Sequence, residues 1–488
     1  MNLKKISITL IAMFSTIQSF SCTTIIVGKG ASKDGSILIA RNVDGPSDSA
    51  AVRFIYHPPK TQGYIYQNFE EPENKFQYKM PNNLLGYSGL PDWQTDNRGY
   101  EESGFNDLGV SISATETIFS NTKVLEIDPY VEDGISEEAI TTIILPQINS
   151  AKQGVELLGS IIEKYGAAEG FGVAFADKDE AWYMENAGGH EWVAVKIPDD
   201  KYFVSANQSR IGTINLNDKQ NVLSSANLVS FAKDNGLYDS GKFNFRKIYS
   251  KDDNSDAGYN YPRVKYLQEL FTPSEKNKKY EDNSFPTLLT PKNKISITNI
   301  EDALENHFQG TEYDPYELQN PTVTDRPISV YRTQQSHILS LRKGLPLPIA
   351  NVEYLSLGMS ALSIYVPFYQ GAKIPLEYQI GNNKADNISA YWKFRKLQMM
   401  GMLNFPKYAP IIKERFDLLN KQIQDQQKIF EQAYIDIYKK NPIKAQELLD
   451  NFTTSSVNAV FAITEELTNE LITMQSSAIN DEYKFPGA

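Results

Sequence analysis

Hydrophobic and polar positions along this chain follow two kinds of pattern. Short runs rich in β-branched and aromatic residues, bounded by Gly, Asp and Asn, predict strands. These predicted strands are 22–28, 36–41, 109–114, 171–176, 180–185, 192–197 and 202–205. Apolar residues at helical spacing predict two helices before the fourth strand, at 136–148 and 153–165. Strands with hairpin-like spacing, interrupted by a helical pair, indicate antiparallel sheet with helices packed on it.

The second half of the chain changes character twice. Residues 212–310 are polar and rich in turn residues and predict no clear elements, whereas 328–369 is again β-rich. Beyond residue 383 the apolar spacing predicts two long amphipathic helices, 411–438 and 443–474, with a break at Asn441-Pro442. On this basis the chain divides into three regions: 1–21, 22–383 and a helical C-terminal region at 384–488.

The amino-terminal segment has the features of a targeting sequence. Lys4 and Lys5 precede an apolar run at 6–14, and small residues follow at Ser19 and Ser21. This order is typical of a secretory signal peptide, whereas a membrane anchor needs about 20 apolar residues, roughly twice this run. We expect this signal peptide or propeptide to be removed. The mature chain would then be exported, periplasmic or extracellular, and without an integral membrane span.

The composition narrows the expected partners and cofactors. The 488-residue chain is 41% hydrophobic and 22% charged, which is typical of a folded globular protein. Its formal net charge is −12 and no basic stripe is visible, so a nucleic-acid partner is not expected. The four histidines are scattered without zinc-ligand spacing. We therefore expect neither a metal nor another cofactor.

Cys22 is the only cysteine, and it directly follows the predicted cleavage point. A free α-amino group has a pKa of about 7.7–8.0 and a cysteine thiol one of about 8.5, so an amine on the same residue can accept the thiol proton. This chemistry requires Cys22 to be the first residue of the mature chain, and it makes Cys22 a candidate nucleophile. The alternative is an acylated lipoprotein cysteine, but Ser19 and Phe20 match that export signal poorly.

Two charged residues close to Cys22 in the predicted hairpin suit supporting roles. Arg41 and Asp44 end the strand that pairs with the Cys22 strand, so the hairpin returns them to the new terminus. Asp44 could accept a hydrogen bond from the α-amine, and the positive charge of Arg41 could lower the thiol pKa. An ordinary ion pair at the end of a strand is the alternative interpretation of the two residues.

The opening of the mature chain resembles a known family. The run from Cys22 to Ser36, followed by Ala40-Arg41-Asn42-Val43-Asp44, is similar to the start of the cysteine dipeptidases. These enzymes belong to the N-terminal nucleophile (Ntn) hydrolases and are relatives of penicillin V acylase and bile salt hydrolase. The resemblance covers most of residues 22–375 and is weaker in the helical tail. Further similar segments are 104–110, 179–185, 205–211, 261–263 and 347–371.

The resemblance implies a fold and the roles of three residues. The family fold is an α+β four-layer αββα sandwich, here with a helical C-terminal extension, and 22–383 would be its catalytic domain. Cys22 matches the family nucleophile and, through its amine, the base. Arg41 and Asp44 match the residues that position this terminus.

The remaining site residues are also implied by the resemblance. Asn207 matches the side-chain amide that lines the oxyanion hole, and Arg263 matches a second active-site arginine. The backbone around Glu116 and Thr117 matches the other oxyanion donor. From the residues alone, Asn207 could equally satisfy a turn and Arg263 could be a surface charge.

The function implied is hydrolysis of dipeptides through a thioester on Cys22. The expected partners are small peptide substrates, and the sequence leaves open whether the protein forms a homo-oligomer. Two alternatives remain. A linear-amide amidase would act on acyl amino acids or bile-salt-type conjugates instead. A surface lipoprotein would bind peptides without cleaving them.

Overall fold

The computed structural model describes residues 22–45, 51–68, 74–92, 100–251, 256–280, 284–317 and 324–483. The signal segment predicted at 1–21 lies outside these residues. The strands of the described part are β1 Thr23–Val27, β2 Ile37–Asp44, β3 Ile55–His57, β4 Ile65–Gln67, β5 Gln77–Lys79, β6 Tyr87–Gly89, β7 Ser103–Phe105, β8 Ser111–Thr117, β9 Phe171–Ala176, β10 Ala181–Ala187, β11 Glu191–Lys196, β12 Tyr202–Ser205, β13 Val222–Ser224, β14 Thr333–Leu341, β15 Asn351–Leu357 and β16 Val366–Tyr369.

The helices of the described part stand mainly between and after the strands of the two sheets. They are α1 Thr122–Ile127, α2 Glu137–Ile144, α3 Ala151–Tyr165, α4 Leu228–Asp234, α5 Phe245–Tyr249, α6 Asp256–Tyr259, α7 Tyr261–Phe271, α8 Ile297–Leu304, α9 Leu347–Ala350, α10 Leu376–Gln379, α11 Ala390–Leu403, α12 Phe405–Tyr438 and α13 Pro442–Glu482. Within these residues, no helix combines the length and the apolar character needed to cross a bilayer.

Two six-stranded antiparallel sheets form the centre of the molecule. The first sheet has the order β12-β1-β2-β14-β15-β16, and the second has the order β13-β11-β10-β9-β8-β7. The β1–β2 hairpin predicted from the sequence lies in the middle of the first sheet. In its register Thr24 stands opposite Arg41 of β2, and on the other side opposite Ser205 of β12.

Side-chain alternation along the strands stacks these sheets and helices into four layers. Ile26 and Ile39 of the first sheet pack against Tyr183 and Val193 of the second, so the two sheets face each other. The outer face of the second sheet packs on α2 and α3. The outer face of the first sheet packs on α7 and α8. The α+β four-layer αββα sandwich is thus confirmed.

Strand β9 shows how the sequence sets this layering. Its larger residues Phe171, Val173 and Phe175 face the helices, while the small residues Ala174 and Ala176 face the other sheet. Alternation along β9 therefore places large side chains on the face that packs against the helices and small side chains on the face that packs against the other sheet. The small side chains allow the two sheets to lie close together.

The predicted elements are largely present, with shifts that matter for the site. Strand β2 continues past Arg41 to Asp44, and the two tail helices begin earlier than predicted, at Phe405 and Pro442. The sequence did not predict α11, Ala390–Leu403, because its apolar residues surround the helix rather than forming one stripe. Helices α4, α5, α7 and α8 likewise lie in the polar segment for which no elements were predicted.

The C-terminal helices pack directly on the sandwich. Phe394 of α11 and Leu467 of α13 share a core with Val366 and Phe368 of β16. Phe430 of α12 joins the core on the outer face of the first sheet. The helical extension therefore covers one edge of the first sheet and shares apolar cores with it.

A substitution in α12 tests this packing. Phe430 is 6% exposed and stacks on Phe452 with 4.5 Å between the ring centroids. We expect Phe430→Ala to lower the free energy of unfolding by about 3–5 kcal/mol, because it removes a buried ring and leaves a cavity. The neighbouring Ile429 is 73% exposed, so Ile429→Ala is the matched control with a change within about 0.5 kcal/mol. The measurement is denaturant unfolding of both variants. Equal losses in the free energy of unfolding would contradict the packing of α12 on the sheet.

Candidate active site

The thiol of Cys22 lies at one end of the interface between the two sheets. Ile26 of β1 packs in the inter-sheet core, whereas Ile25 packs on the helix side. Because side chains alternate along a strand, Thr24 and Cys22 share the inter-sheet side with Ile26. Cys22 is 1% exposed, and burial raises the pKa of its thiol well above the ordinary value, although Arg41 acts in the opposite direction.

A buried guanidinium joins Cys22 to Asn207. Arg263 Nη1 donates to the carbonyl oxygen of Cys22 at 2.6 Å and to Thr23 Oγ1 at 2.9 Å. Its Nη2 donates to Asn207 Oδ1 at 3.1 Å and to Asn260 Oδ1 at 2.7 Å. Arg263 is therefore not a surface charge but a fully buried link between the candidate nucleophile and the candidate oxyanion donor.

Both the backbone and the side chain of Asn207 make hydrogen bonds within the protein. The register that pairs Thr24 with Ser205 brings the chain after β12 alongside Cys22. The backbone N–H of Asn207 donates to Asn260 Oδ1 at 3.1 Å, and Asn260 Nδ2 donates to the Asn207 carbonyl at 3.1 Å. Since Asn207 Oδ1 accepts from the arginine, the amide nitrogen is the end of this side chain that can donate to a ligand.

Arg41 crosses from the first sheet to the second. It stands opposite Thr24 on β2, and its Nη2 donates to the Glu102 carboxylate, to the Glu102 carbonyl at 3.1 Å and to the Ala114 carbonyl. Burial alone would lower the pKa of Arg41, but the charge of Glu102 reverses this effect and the pKa is raised. A cation is therefore held on the thiol side of the first sheet.

Asp44 lies on the opposite face of the same sheet. It is three positions after Arg41 along β2, so the two side chains point to different sides. The Asp44 carboxylate accepts from Arg326 and from Thr333 Oγ1. Arg326 and Arg263 lie over the same Tyr259 ring, at 5.0 Å and 5.3 Å from its centroid. Asp44 thus belongs to the charge network on the helix side.

Glu116 and Thr117 meet the site region through their side chains. Thr24 Oγ1 donates to Glu116 Oε2, and Thr117 Oγ1 donates to Glu137 Oε1 at 3.0 Å. The backbones of Glu116 and Thr117 pair with β9. Burial raises the pKa of Glu116 to about 7. The hydrogen bond from Thr24 and the charges of Arg41 and Arg263 lower the pKa but do not outweigh burial.

One histidine, His337, stands in register with Arg41 on the neighbouring strand β14. Its Nε2 lies 2.9 Å from Ser113 Oγ and its Nδ1 lies 2.9 Å from Gln335 Oε1. Burial, followed by the charge of Arg41, lowers the pKa of His337 well below its ordinary value. This ring is neutral and both of its nitrogens have protein partners.

The structure places all five residues singled out in the sequence near the start of β1, with Arg41 on the inter-sheet side and Asp44 on the helix side. It adds Glu102, Asn260 and Arg326, which the sequence did not indicate as site residues. Of these three, only Asn260 has a recognisable sequence pattern. Asn260-Tyr261-Pro262 is typical of a helix start, and it stands three residues before Arg263. Within the described residues, no three His, Cys, Asp or Glu side chains are grouped to hold a metal ion.

The four-layer sandwich and the buried Cys22–Arg263–Asn207 cluster define the class of a hydrolase with a candidate thiol nucleophile. The chain belongs to peptidase family C69, whose family model matches residues 21–417. It is therefore a peptidase, and the family indicated by the opening motif is confirmed.

Three relatives of the chain are named as probable dipeptidases. It is 47% identical over 381 residues to a probable dipeptidase of Salmonella dublin, covering 78% of this chain and 86% of the relative. It is 36% identical over 394 residues to a probable dipeptidase of Latilactobacillus sakei, covering 80% and 82%. A probable dipeptidase B of Streptococcus pyogenes serotype M1 is 30% identical over 483 residues, covering 94% and 95%. The third alignment thus extends into the helical tail.

A double-mutant cycle tests the buried pair of Asp44 and Arg326. We expect Asp44→Asn to lower the free energy of unfolding by about 3–5 kcal/mol, because Arg326 loses its carboxylate partner inside the protein. Adding Arg326→Met removes the unbalanced cation, so the double variant should lose less than the sum of the single losses, by about 1–3 kcal/mol. Denaturant unfolding of the three variants gives the coupling energy. Additive losses would show that the two charges do not interact.

Proposed function

We propose that the mature protein is an exported dipeptidase that cleaves the peptide bond with the Cys22 thiolate and forms a thioester. The observation that carries this proposal is the Arg263 guanidinium, which bonds both the Cys22 carbonyl and the Asn207 side chain. The names of the relatives support dipeptides as the substrate class.

Removal of residues 1–21 is the activating step in this mechanism. In the uncut chain the Cys22 nitrogen is an amide bonded to Ser21, and an amide cannot take a proton from the thiol. Burial also raises the thiol pKa, so sulfur stays protonated until a base is released. The signal-like pattern at 6–21 and a family match that begins at residue 21 both support cleavage before Cys22.

The mature terminus then carries out acyl transfer. The α-amine takes the Sγ proton, and sulfur attacks the carbonyl carbon of the scissile bond. The Asn207 amide donates to the developing oxyanion, an interaction typically worth about 3–4 kcal/mol. The α-ammonium group returns this proton to the leaving amine as the C–N bond breaks, and water then hydrolyses the thioester, which releases the second product as the acid and restores the thiol. Arg41 stabilises the thiolate with its positive charge.

The three regions have distinct roles in this proposal. Residues 1–21 direct export, and residues 22–383 form the catalytic domain. The helices of 384–488 are an extension that packs on the sheet edge, and they contribute none of the five proposed site residues.

The first test asks whether the active protein begins at Cys22 and whether its activity depends on the thiol. We expect intact mass of the active protein to show a chain that begins at an unmodified Cys22. Cys22→Ala should lower kcat by about 10⁴-fold or more, because the nucleophile is lost, with its unfolding midpoint unchanged. Cys22→Ser keeps the amine and a weaker nucleophile, and it should retain only a trace of the activity.

Two outcomes of this test contradict the mechanism. One is full activity in a chain that still carries residues 1–21, and the other is full activity in Cys22→Ala. A diacylglyceryl mass on Cys22 with no hydrolysis would favour the peptide-binding lipoprotein. A substrate panel separates the remaining alternative, since cleavage of acyl amides without cleavage of any dipeptide favours a linear-amide amidase.

The second test isolates the oxyanion donor. Asn207→Asp keeps an oxygen that can accept from Arg263 but removes the two N–H donors. We expect kcat to fall by about 10²–10³-fold with a small change in KM, because the donor acts mainly on the transition state. Asn207→Ala, which also loses the bond to Arg263, is the comparison variant. A kcat for Asn207→Asp within fivefold of the unmodified protein would remove Asn207 from this role.

A further inference from the structure

Glu116 lies on the same side of the first sheet as the Cys22 thiol. Thr24 of β1, whose hydroxyl donates to Glu116 Oε2, is two positions after Cys22, which directly precedes the strand, and residues two apart in an extended chain share a face. The charge of Glu116 also acts on the thiol, and after that of Arg41 it is the strongest to do so. The carboxylate and the sulfur therefore lie on the same side of the sheet, toward the same end of the inter-sheet space.

A bulge in β8 turns Glu116 toward this space. Ile112 and Ala114 of β8 face the helix layer, and strict alternation would send residue 116 the same way. The register between β8 and β9 shifts between Ala114 and Glu116, which reverses the faces beyond that point. Bulges of this kind commonly re-aim a side chain beside an active site.

One oxygen of this carboxylate has no donor. Among the described residues nothing donates to Glu116 Oε1, although the side chain is 1% exposed. A buried carboxylate oxygen without a partner is costly and calls for an explanation. The other carboxylates that act on the thiol are engaged, since Glu102 accepts from Arg41, and Asp44 accepts from Arg326 and Thr333.

A dipeptide brings a cation to this position. Its α-nitrogen and its scissile carbonyl carbon are bonded to the same Cα, which places them about 2.5 Å apart. Whenever sulfur approaches that carbon, the ammonium group must lie within a few ångströms of the nucleophile. An anion that recognises a free amino terminus therefore has to stand beside the thiol, on the thiol's side of the sheet.

We propose that Glu116 Oε1 binds the α-ammonium group of the substrate and makes the enzyme selective for peptides with a free amino terminus. This inference rests on the proposed function and adds a specificity-determining residue to it. The bond is a charge-assisted N–H···O interaction in a dry site, where such contacts are strongest. Thr24 holds the carboxylate in place through the other oxygen.

The test compares one dipeptide with its N-acetyl form in the mature protein and in Glu116→Gln. Gln has nearly the same shape, and it keeps an acceptor for Thr24. We expect the unmodified protein to prefer the free amine by about 100-fold or more in kcat/KM. In Glu116→Gln, KM for the free dipeptide should rise about 100-fold, while kcat/KM for the N-acetyl form stays within threefold. Glu116→Asp, which keeps the charge, should recover part of the preference.

Glu353→Gln is the matched control. Glu353 is also buried between the sheets, it accepts from Ser103 Oγ at 3.0 Å, and its Oε2 has no donor among the described residues. It lies on β15, three strands from β1 in the sheet order. We therefore expect Glu353→Gln to leave the preference for the free amine unchanged.

The outcomes separate this inference from the proposed function. If the unmodified protein cleaves no dipeptide, the proposed function fails before any variant is compared. If it cleaves dipeptides and Glu116→Gln keeps the preference for the free amine, Glu116 does not bind the ammonium group. A parallel loss on both substrates would mean that Glu116 serves the amine of Cys22 itself, and it too would overturn the inference.

Discussion

The guanidinium of Arg263 holds three separate parts of the chain in one arrangement. It is fully buried and has no contact with solvent, so its N–H groups need protein acceptors. These come from the start of β1, from the turn after β12 and from the residues just before α7. Burial, followed by the charge of Arg326, lowers the pKa of Arg263 to about 9, which still leaves it a cation at neutral pH. A planar fork with several fixed donors can satisfy this geometry, and an ammonium group cannot.

The β1–β2 hairpin divides the charges of the site between two faces. On the inter-sheet face, Arg41 stands opposite Thr24, and Glu116 bonds to Thr24 from the other sheet. On the helix face, Asp44 accepts from Arg326. The backbone of the central hairpin lies between these clusters, and the charge of Asp44 still acts on the thiol across it. The Cys22 carbonyl, which accepts from Arg263, connects the two.

The sequence predicts well those parts of the structure that depend on local periodicity. Strands β9 to β12 could be predicted because they are short runs rich in apolar, β-branched and aromatic residues, with turn residues between them. Cys22 and Arg41 follow from the predicted hairpin and the signal-like pattern before it, whereas Asn207 and Arg263 came only from the family resemblance. Helix α11 was missed because it is apolar on several sides.

Long-range contacts explain the rest of what the sequence did not indicate. Thr24 and Glu116 are 92 residues apart, and Asp44 and Arg326 are 282 apart. No local pattern marks either pair. A bulge of one residue in β8 decides which side Glu116 faces, and its position depends on the pairing with β9.

Burial of the thiol also bears on how the proposed nucleophile avoids side reactions. The thiolate is the reactive form toward oxidants and disulfides, so a raised pKa keeps the sulfur in its unreactive form. A side chain that is 1% exposed is also closed to large thiols. In the proposed mechanism, the base that removes the proton is created on Cys22 itself by cleavage. Reactivity in this mechanism therefore appears only when the chain is cut, and it appears on the residue that has to meet the substrate carbonyl.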